Sequence, residues 1–189
     1  ALQSSQKWGE AELLVRRALL ISESAYGPHH TDVAIRLNNL AQLLQATNRL
    51  AEAEPLMRRA LAIDEASFGP DHPDVARDLN NLAQLFQVTN RMAQAEPLIR
   101  RALAINEVSY GKERLEVAFY LNNLAMLLQA TNRKVESESL MRRALGILVR
   151  SLGLEHPNSQ GVRRNYVGLL KALEVPEAEM EERVRGAVA

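Results

Sequence analysis

The stretch NNLAQLLQATNR, at residues 38–49, occurs in three versions along this chain of 189 residues. It returns as NNLAQLFQVTNR at residues 80–91 and as NNLAMLLQATNR at residues 122–133, so each copy follows the previous one by 42 positions. A fixed period of this length indicates a repeat architecture, in which each unit buries its apolar surface against its neighbours. The repeat therefore decides the fold class before any single residue is considered.

Each unit contains two helical patterns. In the first, residues 32–46, Leu37, Leu40 and Leu44 lie three, four and seven positions apart, which is the apolar stripe of an α-helix. The TNR segment interrupts this helix A, and a second pattern, helix B, covers residues 50–67 and ends before Gly69, since glycine readily adopts the positive φ of a helix end. The sequence thus predicts an all-α fold, a right-handed α-solenoid or superhelix of antiparallel helix pairs.

We expect the whole chain to form a single repeat domain. Residues 1–27 are a truncated first repeat with helix B alone, residues 28–69, 70–111 and 112–153 are complete repeats, and residues 154–189 are a degenerate C-terminal repeat or cap. In that last repeat Arg163 stands where Leu37 stands in the first complete one. Residues 177–188 show no clear apolar periodicity, which predicts a capping or frayed end.

Composition limits the classes of function. Lys plus Arg equals Asp plus Glu at 23 each, and a net charge of zero argues against nucleic acid or a membrane surface as partner. The absence of cysteine excludes disulfides and thiolate metal sites. No apolar run approaches the roughly 18 residues of a membrane-spanning helix, and residues 1–10 lack the pattern of a signal peptide. We therefore expect a cytoplasmic protein.

Catalytic and cofactor motifs are missing from the sequence. His30, His72 and His156 recur at one loop position of separate repeats, so they predict a structural loop role and not a metal site. The GKE at residues 111–113 lacks the rest of a phosphate-binding loop. We expect no enzyme activity, no cofactor and no bound metal.

Arginine doublets recur in every helix B. A glutamate lies four positions before the first arginine of each doublet, the favoured order for an ion pair along one helix. These glutamates are Glu12, Glu54, Glu96 and Glu138. The arrangement predicts a self-neutralised outer wall and not a basic stripe for nucleic acid.

The repeat resembles a known family. The strings LNNLA, EAEPLMRRALAI and GPDHPDVA, at residues 37–41, 52–63 and 69–76, are similar to the tetratricopeptide repeats of kinesin light chains and their prokaryotic relatives. The resemblance covers about residues 9–172, with a unit of 42 residues where the usual tetratricopeptide unit has about 34. It implies a groove lined by the A helices that binds peptides.

Paired asparagines at the start of the repeated stretch are the candidate ligand contacts. Asparagine is a poor helix former, so a pair in every helix A suggests a function for the amides. Side-chain amides offer both donors and acceptors to a peptide backbone. The predicted groove residues are Ile35, Asn38, Asn39, Gln42, Gln45, Arg77, Asn80, Asn81, Gln84, Gln87, Phe119, Asn122, Asn123, Met126, Gln129, Arg164, Asn165 and Lys171.

Which asparagine of each pair is structural stays open at the level of sequence. One could bond across to the next repeat and fix the stacking angle, while the other contacts ligand. The family resemblance favours the second asparagine of each pair as the one that touches ligand backbone. Only Arg77, Arg164 and Lys171 could pair with acidic groups of a ligand.

The function predicted from these features is a protein–protein interaction scaffold that binds a peptide or partner segment of unknown identity. The alternative is a structural spacer or oligomerisation module of a larger signalling protein. The chain would then be a monomer, or a weak homodimer through exposed repeat ends.

Overall fold

The computed structural model describes residues 2–188, and the side chains of residues 8–188. Within this part of the chain there are nine helices and no strand, and helix accounts for 84% of the protein. The helices are α1 Leu2–Tyr26, α2 Thr31–Ala46, α3 Leu50–Phe68, α4 Pro73–Val88, α5 Met92–Tyr110, α6 Leu115–Ala130, α7 Lys134–Leu152, α8 Pro157–Ala172 and α9 Glu177–Val188. The prediction of an all-α fold is confirmed.

Helix boundaries recur with the period of the sequence. The predicted helix A at residues 32–46 is α2, and the predicted helix B at residues 50–67 is α3. The next two repeats reproduce the same lengths of 16 and 19 residues in α4 and α5 and in α6 and α7. α1 is a helix B that continues without a break back to Leu2.

The TNR segment forms the turn between the two helices of a repeat. Asn48, Asn90 and Asn132 have φ near +60°, a left-handed conformation that asparagine tolerates better than most residues other than glycine. The hydroxyl of Thr47 donates to the backbone oxygen of Leu43 at 3.0 Å, so it satisfies a carbonyl that the helix end leaves unpaired. The segment recurs because each position has a local role in the turn.

Glycine and histidine mark the connection between repeats. Gly69 has φ +88 and ends α3, as the sequence predicts. His30, His72 and His156 are helix N-caps, and in each the Nδ1 accepts a hydrogen bond of 3.2 Å from the N–H two residues later. The structural loop role predicted for these histidines is confirmed.

The chain forms two compact units, residues 1–98 and residues 99–189. The first unit holds α1 to α4 and the start of α5, and its core is the apolar stripe of each A helix packed against B helices. Leu37, Leu40 and Leu44 of α2 are fully buried, and Leu79 of α4 is 1% exposed. α2 lies between α1 and α3, and α4 packs on the other side of α3.

In the second unit α7 packs against α6, α8 and α9. α8 is a complete helix of 16 residues despite its degenerate sequence, because Tyr166 is fully buried where the other A helices have leucine. α9 is docked and not frayed. Its Ala187 is buried, and the Ala187 backbone oxygen lies so close to Gly146 of α7 that a Cβ there would come within 2.6 Å of it.

Candidate peptide-binding surface

α2 presents an outward stripe on the side opposite its buried leucines. Ile35, Asn39 and Gln42 lie four and seven positions apart, and all three are exposed. Neither Asn39 nor Gln42 makes a hydrogen bond to another described residue. This stripe therefore offers two free amides beside an apolar side chain. We use the name amide stripe for Ile35, Asn39 and Gln42.

The two asparagines of α2 have different roles. Asn38 is only 5% exposed, and its Nδ2 donates to Asp78 Oδ1 of α4 at 2.8 Å. This bond joins the A helices of two successive repeats, so Asn38 is held in the interior and lies outside the exposed stripe. In the first complete repeat the structural asparagine is thus the first of the pair, and the accessible one is Asn39.

α4 carries the corresponding stripe of the second repeat. Gln84 is exposed and Asn81 is half-buried. Arg77, predicted as a cation for an acidic ligand, already contacts carboxylates of Asp74 at 2.6 Å, Asp64 at 3.3 Å and Asp78 at 3.4 Å. A ligand would have to compete with these carboxylates for the Arg77 guanidinium.

Asp64 of α3 and Asp78 of α4 form a buried carboxyl pair that the sequence analysis missed. Each residue is 1% exposed. Burial raises the pKa of both carboxyls. For Asp78, burial and, second, the charge of Asp64 raise the pKa to about 7, although the positive charge of Arg77 acts in the opposite direction. Asp64 Oδ1 and Asp78 Oδ2 have no donor among the side chains that the structure describes, and a proton shared between the carboxyls would supply one.

This pair is specific to one pair of neighbouring helices. Ser22, Asn106 and Leu148 occupy the position of Asp64 in the other repeats, and Arg36, Tyr120 and Val162 occupy that of Asp78. The signal that could have revealed the pair is therefore the appearance of two acids at buried positions where the other repeats have none.

The outward stripe of the second unit is more apolar. Phe119 and Met126 of α6 are 42% and 40% exposed, and Asn123 lies half-buried between them. Asn165 of α8 donates its Nδ2 to Asn122 Oδ1 at 3.3 Å, so amides of neighbouring A helices also bond to each other here. Arg164 and Lys171 are exposed and form no ion pair with described residues.

Three glutamines of the predicted groove are half-buried. Gln45 donates its Nε2 to Met57 Sδ of α3 at 3.5 Å, and the Nε2 of Gln87 is buried with no hydrogen-bond partner among the described residues. Gln129 stands at the equivalent position of α6. At Gln45 the side chain turns towards helix B, so this position contributes less to the outward surface than Gln42 or Gln84.

Ion pairs in α1 and α3 follow the prediction, whereas Glu138 of α7 pairs with Arg183 of α9 at 2.6 Å. Arg16 pairs with Glu12 at 2.8 Å and Arg58 with Glu54 at 2.9 Å, as predicted. In addition the arginine of the TNR segment reaches back to the previous repeat: Arg91 lies 2.6 Å from Glu54. The hydrogen bond from Arg91 is the main cause that lowers the pKa of Glu54. The sequence spacing did not reveal this bond between repeats.

Other site types are not found in the described part of the chain. No group of three or more His, Cys, Asp or Glu residues could hold a metal ion there. Among those same residues, no helix combines the length and the apolar character needed to cross a membrane.

Comparison with known families identifies the repeat. The model of the tetratricopeptide repeat matches three overlapping segments, residues 1–66, 37–105 and 79–148. The chain belongs to the tetratricopeptide repeat family. Tetratricopeptide folds are generally scaffolds for protein–protein interaction. No curated protein matches the chain.

Solved tetratricopeptide structures share the fold. A protein of Podosopora anserina assigned as a kinesin light chain, with nearly identical TPR-like repeats, has a TM-score of 0.78 at 22% identity, with 98% of this chain and 89% of that chain covered. BtubC (BKLC) from P. vanneervenii has a TM-score of 0.80 at 24% identity, with 98% and 72% covered. PlcR of Bacillus thuringiensis, solved with the peptide PapR7 and DNA, has a TM-score of 0.71 at 17% identity, with 98% and 64% covered.

Proposed function

We propose that this tetratricopeptide protein binds an extended segment of a partner protein along the outward stripes of α2 and α4, the A helices of its first unit. The observation that supports this most directly is the pair of exposed amides of Asn39 and Gln42, which make no hydrogen bond to another described residue. An extended peptide needs a donor and an acceptor for its backbone at nearly every residue. A side-chain amide supplies both, whatever the ligand's side chains are.

Apolar side chains beside the amides add a second kind of contact. Ile35, in the same stripe as Asn39 and Gln42, is 42% exposed on α2. In the second unit, Phe119 and Met126 are comparably exposed beside Asn123 on α6. A ligand that covers large apolar side chains removes them from water, and this lowers the free energy of the complex. Amides would hold the ligand's backbone while these residues select among its side chains. The peptide complex of PlcR, which shares the fold, is consistent with such a role for a tetratricopeptide surface.

The test uses a peptide selected from a phage-displayed library on the full chain. Asn39→Ala combined with Gln42→Ala removes both free amides of the stripe. At about 1 kcal/mol per lost hydrogen bond, affinity measured by calorimetry should fall roughly thirtyfold. The melting temperature should hold or rise slightly, since alanine is the better helix former.

Two variants serve as controls. Gln94→Ala removes an exposed amide from helix B and should leave affinity unchanged, because that side chain lies outside the outward stripe. Asn38→Ala should lower the melting temperature, because it removes the shorter of the two hydrogen bonds that Asp78 Oδ1 accepts from Asn38 and Arg77. If the Asn39 and Gln42 double variant melts lower and binds normally, the amides are structural and the proposed function is wrong.

A second candidate is a structural module, a spacer or oligomerisation arm of a larger signalling protein. One observation favours it: Ile21 of α1 is 60% exposed, whereas the equivalent Ile63 and Ile147 are at most 4% exposed. A second copy of α1 could cover this face. Sedimentation equilibrium of the full chain and of Ile21→Lys would show it, and a wild-type protein that stays monomeric at all concentrations excludes it.

A further inference from the structure

The last repeat contains a cleft between α8 and α9. The sequence that lines this cleft has no equivalent in the other repeats. Its volume is about 420 Å³, within the usual range for ligand sites. One wall is Arg163, Val167 and Lys171 of α8. The other wall includes an apolar stripe of α9, whose members are Met180, Val184 and Val188. The expectation that residues 177–188 lack apolar periodicity was therefore wrong.

The cleft exists because α9 does not pack as a normal helix B. In the three preceding repeats the position of Arg163 is a leucine, and Leu37, Leu79 and Leu121 are each at most 1% exposed. In the last repeat α9 contacts α7 more extensively than α8. Arg183 of α9 pairs with Glu138 of α7 at 2.6 Å. The α8 face that would carry the fourth leucine is therefore left open, and it carries a cation.

Charge is distributed unevenly between the two walls. Arg163, Lys171 and the adjacent Arg164 form no ion pair among the described residues, and all three belong to α8. The α9 wall carries Glu177, Glu181 and Arg185, which are also unpaired within the described chain. Elsewhere most arginines are neutralised by a nearby carboxylate. The α8 wall is thus a basic surface with an apolar residue at its centre, and it faces the apolar stripe of α9.

The distance between the two cations of the α8 wall determines which residues of a bound peptide can contact them. Arg163, Val167 and Lys171 follow one another every four residues, so the two cations stand about 12 Å apart along the helix. In an extended peptide, residues i, i+2 and i+4 point to the same side and span about 13 Å. A peptide with acids at i and i+4 and an apolar residue at i+2 matches this wall position by position.

We propose that the cleft between α8 and α9 binds an extended peptide segment of the pattern acid-x-apolar-x-acid. The two carboxylates pair with Arg163 and Lys171, and the apolar residue enters between Val167 and the α9 stripe. Glu177 and Glu181 disfavour the opposite orientation, in which the acids would face α9. This binding does not depend on Asn39 or Gln42, so it stands apart from the amide stripe.

The test is a titration of the full chain with the acetylated and amidated peptide Gly-Asp-Ser-Leu-Ser-Asp-Gly, followed by the methyl signals of Val167 and Val184. A register control, Gly-Asp-Leu-Asp-Ser-Ser-Gly, has the same composition but places the acids two residues apart. We expect saturable shifts at both valines and an affinity for the first peptide at least about tenfold higher at low salt. Addition of salt should reduce this preference.

Protein variants locate the binding. Arg163→Leu restores the residue of the other repeats and should weaken binding about threefold or more, within the range of half-exposed ion pairs. Lys171→Gln should weaken binding by a similar factor. This variant is needed because the leucine introduced by Arg163→Leu could pack against α9 and close the cleft. Arg17→Leu removes an exposed arginine of α1 that forms no ion pair within residues 8–188, and it should change nothing.

Three outcomes would overturn the proposal. They are methyl signals that do not move at millimolar peptide, equal affinity for the register control, and unchanged binding in both Arg163→Leu and Lys171→Gln. A loss of binding in the Asn39 and Gln42 double variant, with the cleft variants unaffected, would place the peptide on the amide stripe instead.

Discussion

Replacing Asp78 by Asn should remove most of the pH dependence of stability between about pH 4 and 7. The pKa of Asp78 is about 7 in the folded protein, because the carboxyl is buried beside Asp64, whereas an unfolded aspartate titrates near 3.9. The folded state therefore holds its proton more tightly. The stabilisation that the Asp78 proton provides is complete below about pH 4 and is lost as the pH rises towards 7.

The size of the effect follows from the shift. Three pKa units at about 1.4 kcal/mol each give an upper bound of roughly 4 kcal/mol for the stability lost between the two values. Arg77, Asp74 and His72 also face the pair, together with Asn38 from α2. These groups are present in both proteins, so the difference between wild type and variant isolates the carboxyl of Asp78.

Urea denaturation of the full chain at several pH values and constant ionic strength measures the effect. Wild type should lose free energy of unfolding from pH 4 to 7, while Asp78→Asn should change much less. The asparagine can still accept the hydrogen bond from Asn38. Asp74→Asn, a half-exposed carboxylate that also contacts Arg77, is the matched control and should follow the wild-type slope. Equal slopes for wild type and Asp78→Asn would refute the shared-proton interpretation.

Three further predictions concern packing and ends. Ala83→Leu should lower the melting temperature more than Arg100→Ala, because overpacking a buried contact costs about 1–3 kcal/mol while an exposed ion pair contributes little; equal melting temperatures would contradict this. Asn48→Ala should cost about 1 kcal/mol in thermal unfolding because φ is +61, whereas Asn48→Gly should not. Amide hydrogens of α9 should be protected from exchange, and Arg183→Ala should expose them; wild-type exchange at the unprotected rate would mean that α9 is not docked.

The helix pairs could be predicted because each signal is local and recurs. The leucine stripe, the TNR turn and the glycine after helix B each depend on a few neighbouring residues, and three copies reinforce one another. The N-cap role of His30 belongs to the same class, since the bonded N–H lies two residues away.

Contacts between repeats could not be predicted in the same way. Asn38 becomes structural only because Asp78 stands 40 residues later, and the other repeats have different residues there. The bond from Arg91 to Glu54 likewise depends on how two helices approach. For α9 the sequence could not reveal docking onto α7, because that docking rests on Gly146, a residue that is special only once the backbone of Ala187 approaches it.

Side-chain amide signals in a nuclear magnetic resonance titration test the central claim most directly. The full chain is titrated with the peptide selected from the phage-displayed library, and the amides of Asn39, Gln42, Asn38 and Gln94 are followed together. We predict that the amide signals of Asn39 and Gln42 shift and saturate with the peptide, while the signals of buried Asn38 and of Gln94 in helix B do not shift. Saturable shifts at Gln94 with none at Asn39 or Gln42 would contradict it, because the peptide would then bind the outer wall.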